Sequence, residues 1–258
     1  MIKLFLKLLP QSVKRKLSDE IKKKDEISNC NSTLQMKLNV NVVYCCICKQ
    51  RSPMFLPFNF RHFVICPVCG SFERHRMVWY YLTNYTKILK NEINLLHFAP
   101  ETVFYNTFKK MKINYFPVDF EPKGYGDDCK KMDATDIKHP DSFFDIIIAN
   151  HLLEHVPDDK KAMSEFYRVL TPLGFAVITI PIKKDLQKTY EDFNITDPQE
   201  REKAFGQYDH VRWYGSDFIE RLMEVGFKVE MINFTEILNS QERFKHGFSD
   251  EIIYICKK

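Results

Sequence analysis

Glycine is scarce in this chain. Eight of its 258 residues are glycine, and none lies between Gly70 and Gly124. That gap contains "NLLHFAPE", Asn94–Glu101, which reads as a buried strand and the turn into a helix. A glycine-rich turn of the kind that brings backbone against a pyrophosphate is therefore excluded there. Long apolar runs are also missing. The longest are of strand length, short of the roughly 20 residues that a bilayer-spanning helix needs. "MIKLFLKLLP" is interrupted by Lys3 and Lys7 and ended by Pro10, with no small-residue cleavage site after it, which argues against a secretion signal. Charge of one sign is absent from most of the chain. Residues 1–26 carry eight basic and four acidic side chains, and the remainder carries 30 of each. Gripping a long nucleic acid calls for a positive working surface. The neutral body weighs against tRNA, rRNA or DNA as partner. The expected location is the cytoplasm. The basic arm of residues 1–26 either packs as a short helix or rests on the inner face of the membrane.

What is present supports a substantial core. Hydrophobic residues make up 45% of the chain and aromatics 14%, with 22 phenylalanines. The length suits one domain plus a small attachment. Residues 1–39 read as a basic helical arm and linker, 40–71 as a cysteine segment and 72–91 as a connecting helix. From residue 92 to 258 strand and helix patterns alternate. "FFDIIIAN" and "GFAVITIP" are continuous apolar runs, typical of central parallel strands covered on both faces. Val103, Phe104, Phe108 and Met111 fall at helical spacing. Ala162, Met163, Phe166, Val169 and Leu170 line one face of a helix opened by Asp158 and Asp159. A later helix has Ser216 as its expected N-cap and Gly226 as its stop. A long polar insertion covers 183–214. The pattern implies an α/β doubly wound sheet.

Eight cysteines are present, and five of them (Cys45, Cys46, Cys48, Cys66, Cys69) lie within 25 residues. Cys45-x2-Cys48, seventeen residues, then Cys66-x2-Cys69 has the spacing of two metal-binding knuckles. Four thiolates make a closed tetrahedral site, so the expected ion is a structural Zn2+. His62 replacing one thiol is the alternative. Cys46 reads as a spare thiol. A ribbon of about 30 residues buries too little apolar surface to fold without its metal. "SFERHR" follows at once, and Arg74, His75 and Arg76 suit either an anion clamp for a substrate or contacts to the body.

"FDIIIANHLLEHVPDD…EFYRVLTPLGFAVITIPI" resembles the class I S-adenosylmethionine-dependent methyltransferases, and the resemblance covers about residues 92–258. It implies a Rossmann-like seven-stranded sheet carrying a small N-terminal zinc ribbon. Where the family's turn has a second glycine, this chain has Leu173. The resemblance also implies an S-adenosylmethionine site. There Asp119 holds the ribose hydroxyls, Asp133 meets the adenine amino group and Ala134 reads the ring edge. Phe98, Ala99, Pro100 and Glu101 form the loop, with Asn150 and His151 at the cofactor edge. S-adenosylmethionine carries no phosphate, so the loop needs slimness and an acid more than glycine. Ala99 is slim, and Pro100 can open the next helix at its first position. Glu101 faces the methionine ammonium or simply favours the helix N-terminus. A subgroup joining a cysteine ribbon, "C-P-x-C-G-S-x-x-R-H-R" and "H-x-A-P-E" to this fold is associated with bacterial surface-glycan genes, and this sequence matches all three.

Methyl transfer is an in-line displacement that depends on alignment. A hydroxyl acceptor also needs a base, whereas an anionic acceptor needs orienting cations. "FGQYDHVRWYG" offers Gln207, Asp209, His210, Arg212 and Tyr214. His210 is the candidate base with Asp209 orienting it, and Arg212 the candidate anion clamp. His155 is a further candidate near the acceptor. The leading expectation is O-methylation of a small molecule or of a capsule or lipopolysaccharide precursor, at a phosphate, phosphoramidate or sugar hydroxyl oxygen. An RNA or protein methyltransferase that uses the ribbon to hold its substrate is the alternative. A cofactor-less scaffold is the third.

Overall fold

The computed structural model describes residues 42–87, 89 and 92–258. The arm and linker expected over 1–39, the membrane contact and Cys30 lie outside the described residues. Among the described residues no helix is long and apolar enough to cross a membrane.

The chain first makes two short antiparallel hairpins, β1 (Val43–Cys45) with β2 (Gln50–Ser52) and β3 (Leu56–Phe58) with β4 (Arg61–Ile65). Helix α1 (Glu73–Asn84) follows, shorter than the connecting segment expected over 72–91. Then come β5 (Asn94–Phe98), α2 (Thr102–Phe108), β6 (Asn114–Asp119), β7 (Lys130–Lys131) and β8 (Phe144–Asn150). A 3-10 turn over Leu153–His155 leads to α3 (Asp159–Val169) and β9 (Leu170–Thr179). The polar insertion is itself folded, with β10 (Tyr190–Glu191), α4 (Pro198–Phe205) and β11 (Arg212–Trp213). The chain ends with α5 (Phe218–Val225), β12 (Lys228–Ile232), α6 (Phe234–Ile237), α7 (Ser240–His246) and β13 (Ile253–Lys257).

Seven strands form one sheet in the order β12-β13-β9-β8-β5-β6-β7. The run β9-β8-β5-β6-β7 is parallel, while β13 is antiparallel to both β9 and β12. The central strands are apolar on both faces because both faces are covered. Leu95, Ile146 and Ile148 point to one side, and Leu96, Ile147 and Ala149 to the other. The second side packs on Ala162, Met163 and Phe166 of α3 and on Phe218 and Leu222 of α5.

On the first side the ribbon packs directly against the body. Val43, Cys45, Phe55 and Cys66 share a core with Met77 and Leu82 of α1 and with the sheet. Residues 42–258 form one compact unit. Two hairpins this short cannot enclose a core of their own, so their apolar side chains are buried against the body.

Caps follow the sequence in part. Asp158 accepts from Lys161 N and caps α3, and Gly226 ends α5 with a φ of 113°. The N-cap of α5 is Asp217 and not Ser216, whose hydroxyl donates to Gln187 O. Asp217 uses its carboxylate to hold Thr189 N and Oγ1, so it ties the insertion to the helix start.

Candidate functional site

The two cysteine knuckles are built alike. Lys49 N donates to Cys45 O and Gly70 N to Cys66 O, and Lys49 and Gly70 both have positive φ. The turns bring the four sulfurs together, with Cys45 Sγ 3.6 Å from Cys69 Sγ and Cys48 Sγ 3.8 Å from Cys66 Sγ. All four ligand atoms lie within 4.8 Å of one another. Metal–sulfur bonds of about 2.3 Å in a tetrahedron place sulfurs about 3.8 Å apart, so the donor set fits a zinc-sized ion. Hydrogen bonds from the Cys66 and Cys69 thiols draw the Cys45 thiol far down, while burial and the Cys45 charge push Cys48 up to about 12. Four thiolates this close repel one another and require a positive ion. His62 is exposed and stands outside this set. Cys46 is spare, as expected. Its Sγ lies 3.3 Å from Arg76 O, and burial pushes its thiol up.

The crevice at the carboxyl ends of β5 and β8 is the topological switch point of the sheet, where α/β folds bind ligands. Ala99 stands at the end of β5 with a φ of 44°, and its N–H donates to Val118 O. An alanine thus adopts the left-handed turn that glycine normally supplies, and presents only a methyl group. Pro100 precedes the N-cap Glu101, so it does not open α2 as its first residue. Glu101 makes no cap bond. Its Oε2 lies 3.0 Å from His97 Nε2, and its Oε1 accepts from Asn150 Nδ2 at 3.0 Å. His75 Nε2 is 3.3 Å from the same Oε1. His75 Nδ1 already accepts from Phe72 N, so Nε2 carries the proton facing Glu101. Burial would raise the Glu101 carboxyl, but the His75 and His97 imidazoles outweigh it and hold the group well below the usual carboxylate range. His97 Nδ1 lies 3.0 Å from Tyr115 Oη, and Thr179 Oγ1 donates to Asn150 Oδ1 at 3.2 Å. The floor of the crevice is one polar network from α1 to β9.

The ring of Phe98 is buried, 5.3 Å from that of Phe166, so only its backbone reaches the crevice. Asp119 ends β6 beside Ala99, with Oδ1 accepting from Glu121 N. Asp133 is exposed and forms a turn with Thr135, while Ala134 is buried. His151 has a φ of 47° and sits between Glu154 at 3.2 Å and Glu251 at 2.8 Å. Burial alone would lower its pKa, but the two carboxylates raise it to about 9.

Just beyond, the 3-10 turn and the insertion bring His155, Asp209 and His210 together. His155 Nδ1 lies 3.3 Å from Asp209 Oδ2, and the two imidazole rings are 4.7 Å apart, edge to face. Asp209 therefore orients His155, not His210 as expected. His210 Nδ1 lies 3.2 Å from Phe205 O, which can only accept, so Nδ1 holds the proton and Nε2 keeps its lone pair. Burial, helped by His155, lowers the His210 pKa and keeps the ring neutral. Gln207 Nε2 donates to Asp209 Oδ1 at 2.8 Å.

Three expected substrate contacts are turned inward. Arg76 is fully buried and donates to the carbonyls of His246, Val64, Ser71 and Gly247, with its guanidinium 3.9 Å over the Phe55 ring. It staples ribbon to body. Arg212 donates to Leu153 O, Val156 O and Pro157 O and pairs with Glu191 at 2.9 Å. Tyr214 Oη donates to Asp159 Oδ2 at 2.7 Å. An arginine so fully engaged has no fork left for an anion. Arg74 keeps an unpartnered Nε and lies over Phe72. A hollow of about 400 Å³ between Pro157, Glu191, Phe193 and Arg221 is lined by charges already paired with one another, such as Arg221 with Asp159 at 2.6 Å. Sequence reasoning missed His97, Tyr115, Glu154 and Glu251. His97 gave a signal as a polar residue inside the apolar strand "NLLHF", and Glu154 was read only as part of the "LEH" motif.

Residues 101–178 match the family described as "Methyltransferase domain". The match begins at Glu101, just after the glycine-free turn. No curated protein matches the chain. Among solved structures the fold is similar to a SAM-dependent methyltransferase from Archaeoglobus fulgidus, at 17% identity and a TM-score of 0.48, over 70% of this chain and 93% of that one. It is also similar to an S-adenosylmethionine-dependent methyltransferase from Mesorhizobium loti, at 14% identity and a TM-score of 0.46, over 69% of this chain and 95% of that one.

Proposed function

We propose that this chain is an S-adenosylmethionine-dependent methyltransferase, which its matched domain and its sheet support, and that it methylates an oxygen of a small acceptor held against His155 and His210. One observation carries this reading. Beyond the carboxyl end of β8 two imidazoles have their Nδ1 atoms engaged by Asp209 and Phe205 O, which leaves both Nε2 atoms for a ligand.

The cofactor side is consistent with this. When bound, S-adenosylmethionine supplies an activated methyl group on its sulfonium. Ala99 leaves room for its backbone-side approach, and Asp119 has a second carboxylate oxygen for the ribose hydroxyls. Asp133 and Ala134 would meet the adenine. The Glu101 carboxylate, kept ionised by its histidines, gives the crevice the negative character that suits an ammonium and a sulfonium. The four cysteines hold a structural zinc, which supports the wall of the crevice through Arg76 and His75.

On the acceptor side, neutral His210 can take the proton from an attacking hydroxyl. A phosphate or phosphoramidate oxygen has no such proton, and Arg74, half-buried and in no ion pair among the described residues, is then the candidate cation. The neutral body favours a small molecule or a surface-glycan precursor over a nucleic acid. The test is release of S-adenosylhomocysteine against sugar nucleotides and phosphorylated glycan precursors. His210→Ala is expected to lower kcat by about 10²–10⁴-fold for a hydroxyl acceptor, and far less for an anionic one. Undiminished activity of that variant toward every accepted substrate would remove His210 from the site.

A further inference from the structure

We infer that Glu154, His155 and His210 form a second metal site, distinct from the cysteine cluster, that takes one divalent first-row cation. Their ligand atoms all lie within 4.8 Å of one another. The first support is the state of Glu154. It is fully buried, yet neither carboxylate oxygen has a hydrogen bond. The nearest cationic atom, His151 Nδ1, stands 3.2 Å from Oε1 without bonding alignment. A buried carboxylate left without hydrogen bonds is costly and calls for a partner. The second support is independent. Each imidazole has its Nδ1 engaged, His155 by the Asp209 carboxylate and His210 by the Phe205 carbonyl. Metal-binding histidines are held in this way, with the other ring nitrogen hydrogen-bonded to a carboxylate or carbonyl. By elimination both Nε2 lone pairs are free, beside a carboxylate whose Oε1 faces His151 and whose Oε2 has no partner.

Two imidazoles and one carboxylate are borderline donors that suit Zn2+, Fe2+, Co2+ or Mn2+ and do not resemble the all-sulfur set of the ribbon. Three protein ligands leave coordination positions open. An acceptor oxygen could fill one of them, and then His210 serves as a ligand and not as a base. That use rests on the proposed methyl transfer; the metal site itself does not.

The probe is Co2+ alone, titrated into full-length protein whose ribbon is already filled with zinc. Zinc thiolate sites hold their metal against cobalt. The expected result is about one equivalent of cobalt beyond the zinc, giving weak d–d absorption without thiolate-to-cobalt charge transfer. His155→Ala should abolish that uptake. Asp209→Asn alters only a partly exposed orienting group and so keeps the fold; it should weaken binding about 10–100-fold. Glu154→Gln should also lose the site while retaining zinc. No cobalt beyond the ribbon would overturn the inference. So would uptake unchanged in both His155→Ala and Asp209→Asn, or uptake with thiolate charge transfer. A parallel S-adenosylmethionine titration keeps failure of this site separate from failure of the methyltransferase reading.

Discussion

Glu101 sets one carboxylate against donors from three elements, His75 of α1, His97 of β5 and Asn150 of β8. Its pKa is depressed in the fold, so its contribution is present above the ordinary carboxylate value of about 4.3 and is lost as pH falls toward the folded value. Glu101→Gln should therefore destabilise the protein by about 1–3 kcal/mol near neutral pH. The gap from the parent should narrow below about pH 4. Urea unfolding across pH measures it, and a gap that does not change with pH would contradict the assignment. Arg212 gives a second case. Lysine cannot reproduce its four bonds, so Arg212→Lys should lose about 2–4 kcal/mol of stability. Unchanged stability with a raised KM would instead put Arg212 at the acceptor. These residues also mark the limit of reading side chains from sequence. The motif "YDHVRWYG" announces a polar cluster. It carries no information on which side chains face the crevice, because that depends on where Leu153–Pro157 and Asp159 lie. Arg212 and Tyr214 satisfy those groups, Asp209 is left half-exposed, and His210 is buried against Phe205 O and the His155 ring.

At the scale of elements, the long features were legible. The apolar runs of β8 and β9, the amphipathic α3 and the paired cysteine knuckles follow from periodicity and spacing alone. The two-residue strands β7, β10 and β11 were not legible, since two residues have no period. The shared core of ribbon and sheet was hidden for another reason. Val43, Phe55 and Cys66 look like ribbon residues, and only the tertiary arrangement sets them against Met77 and Ile253. This packing makes a prediction. Cys45→Ser, or removal of the metal by a chelator, should lower the stability of the whole unit in a single cooperative transition. Calorimetry resolving two independent transitions, with the body's unchanged, would contradict it.

At the scale of the molecule, the doubly wound sheet was foreseeable from alternation, and the glycine-free turn was the open question. Ala99 resolves it by taking the positive φ that the turn requires while keeping a side chain of one carbon. The network beneath it, His97 with Tyr115 and Glu101 with Asn150, fixes the loop that glycines elsewhere leave to backbone freedom. The central claim is that this crevice still binds the cofactor. Isothermal titration of the zinc-loaded protein with S-adenosylmethionine tests it most directly. The account predicts saturable binding of about one molecule per chain, weakened at least tenfold by Ala99→Val, whose branched side chain fits neither the backbone conformation nor the crevice. No binding to protein that retains its metal and melts cooperatively would contradict it.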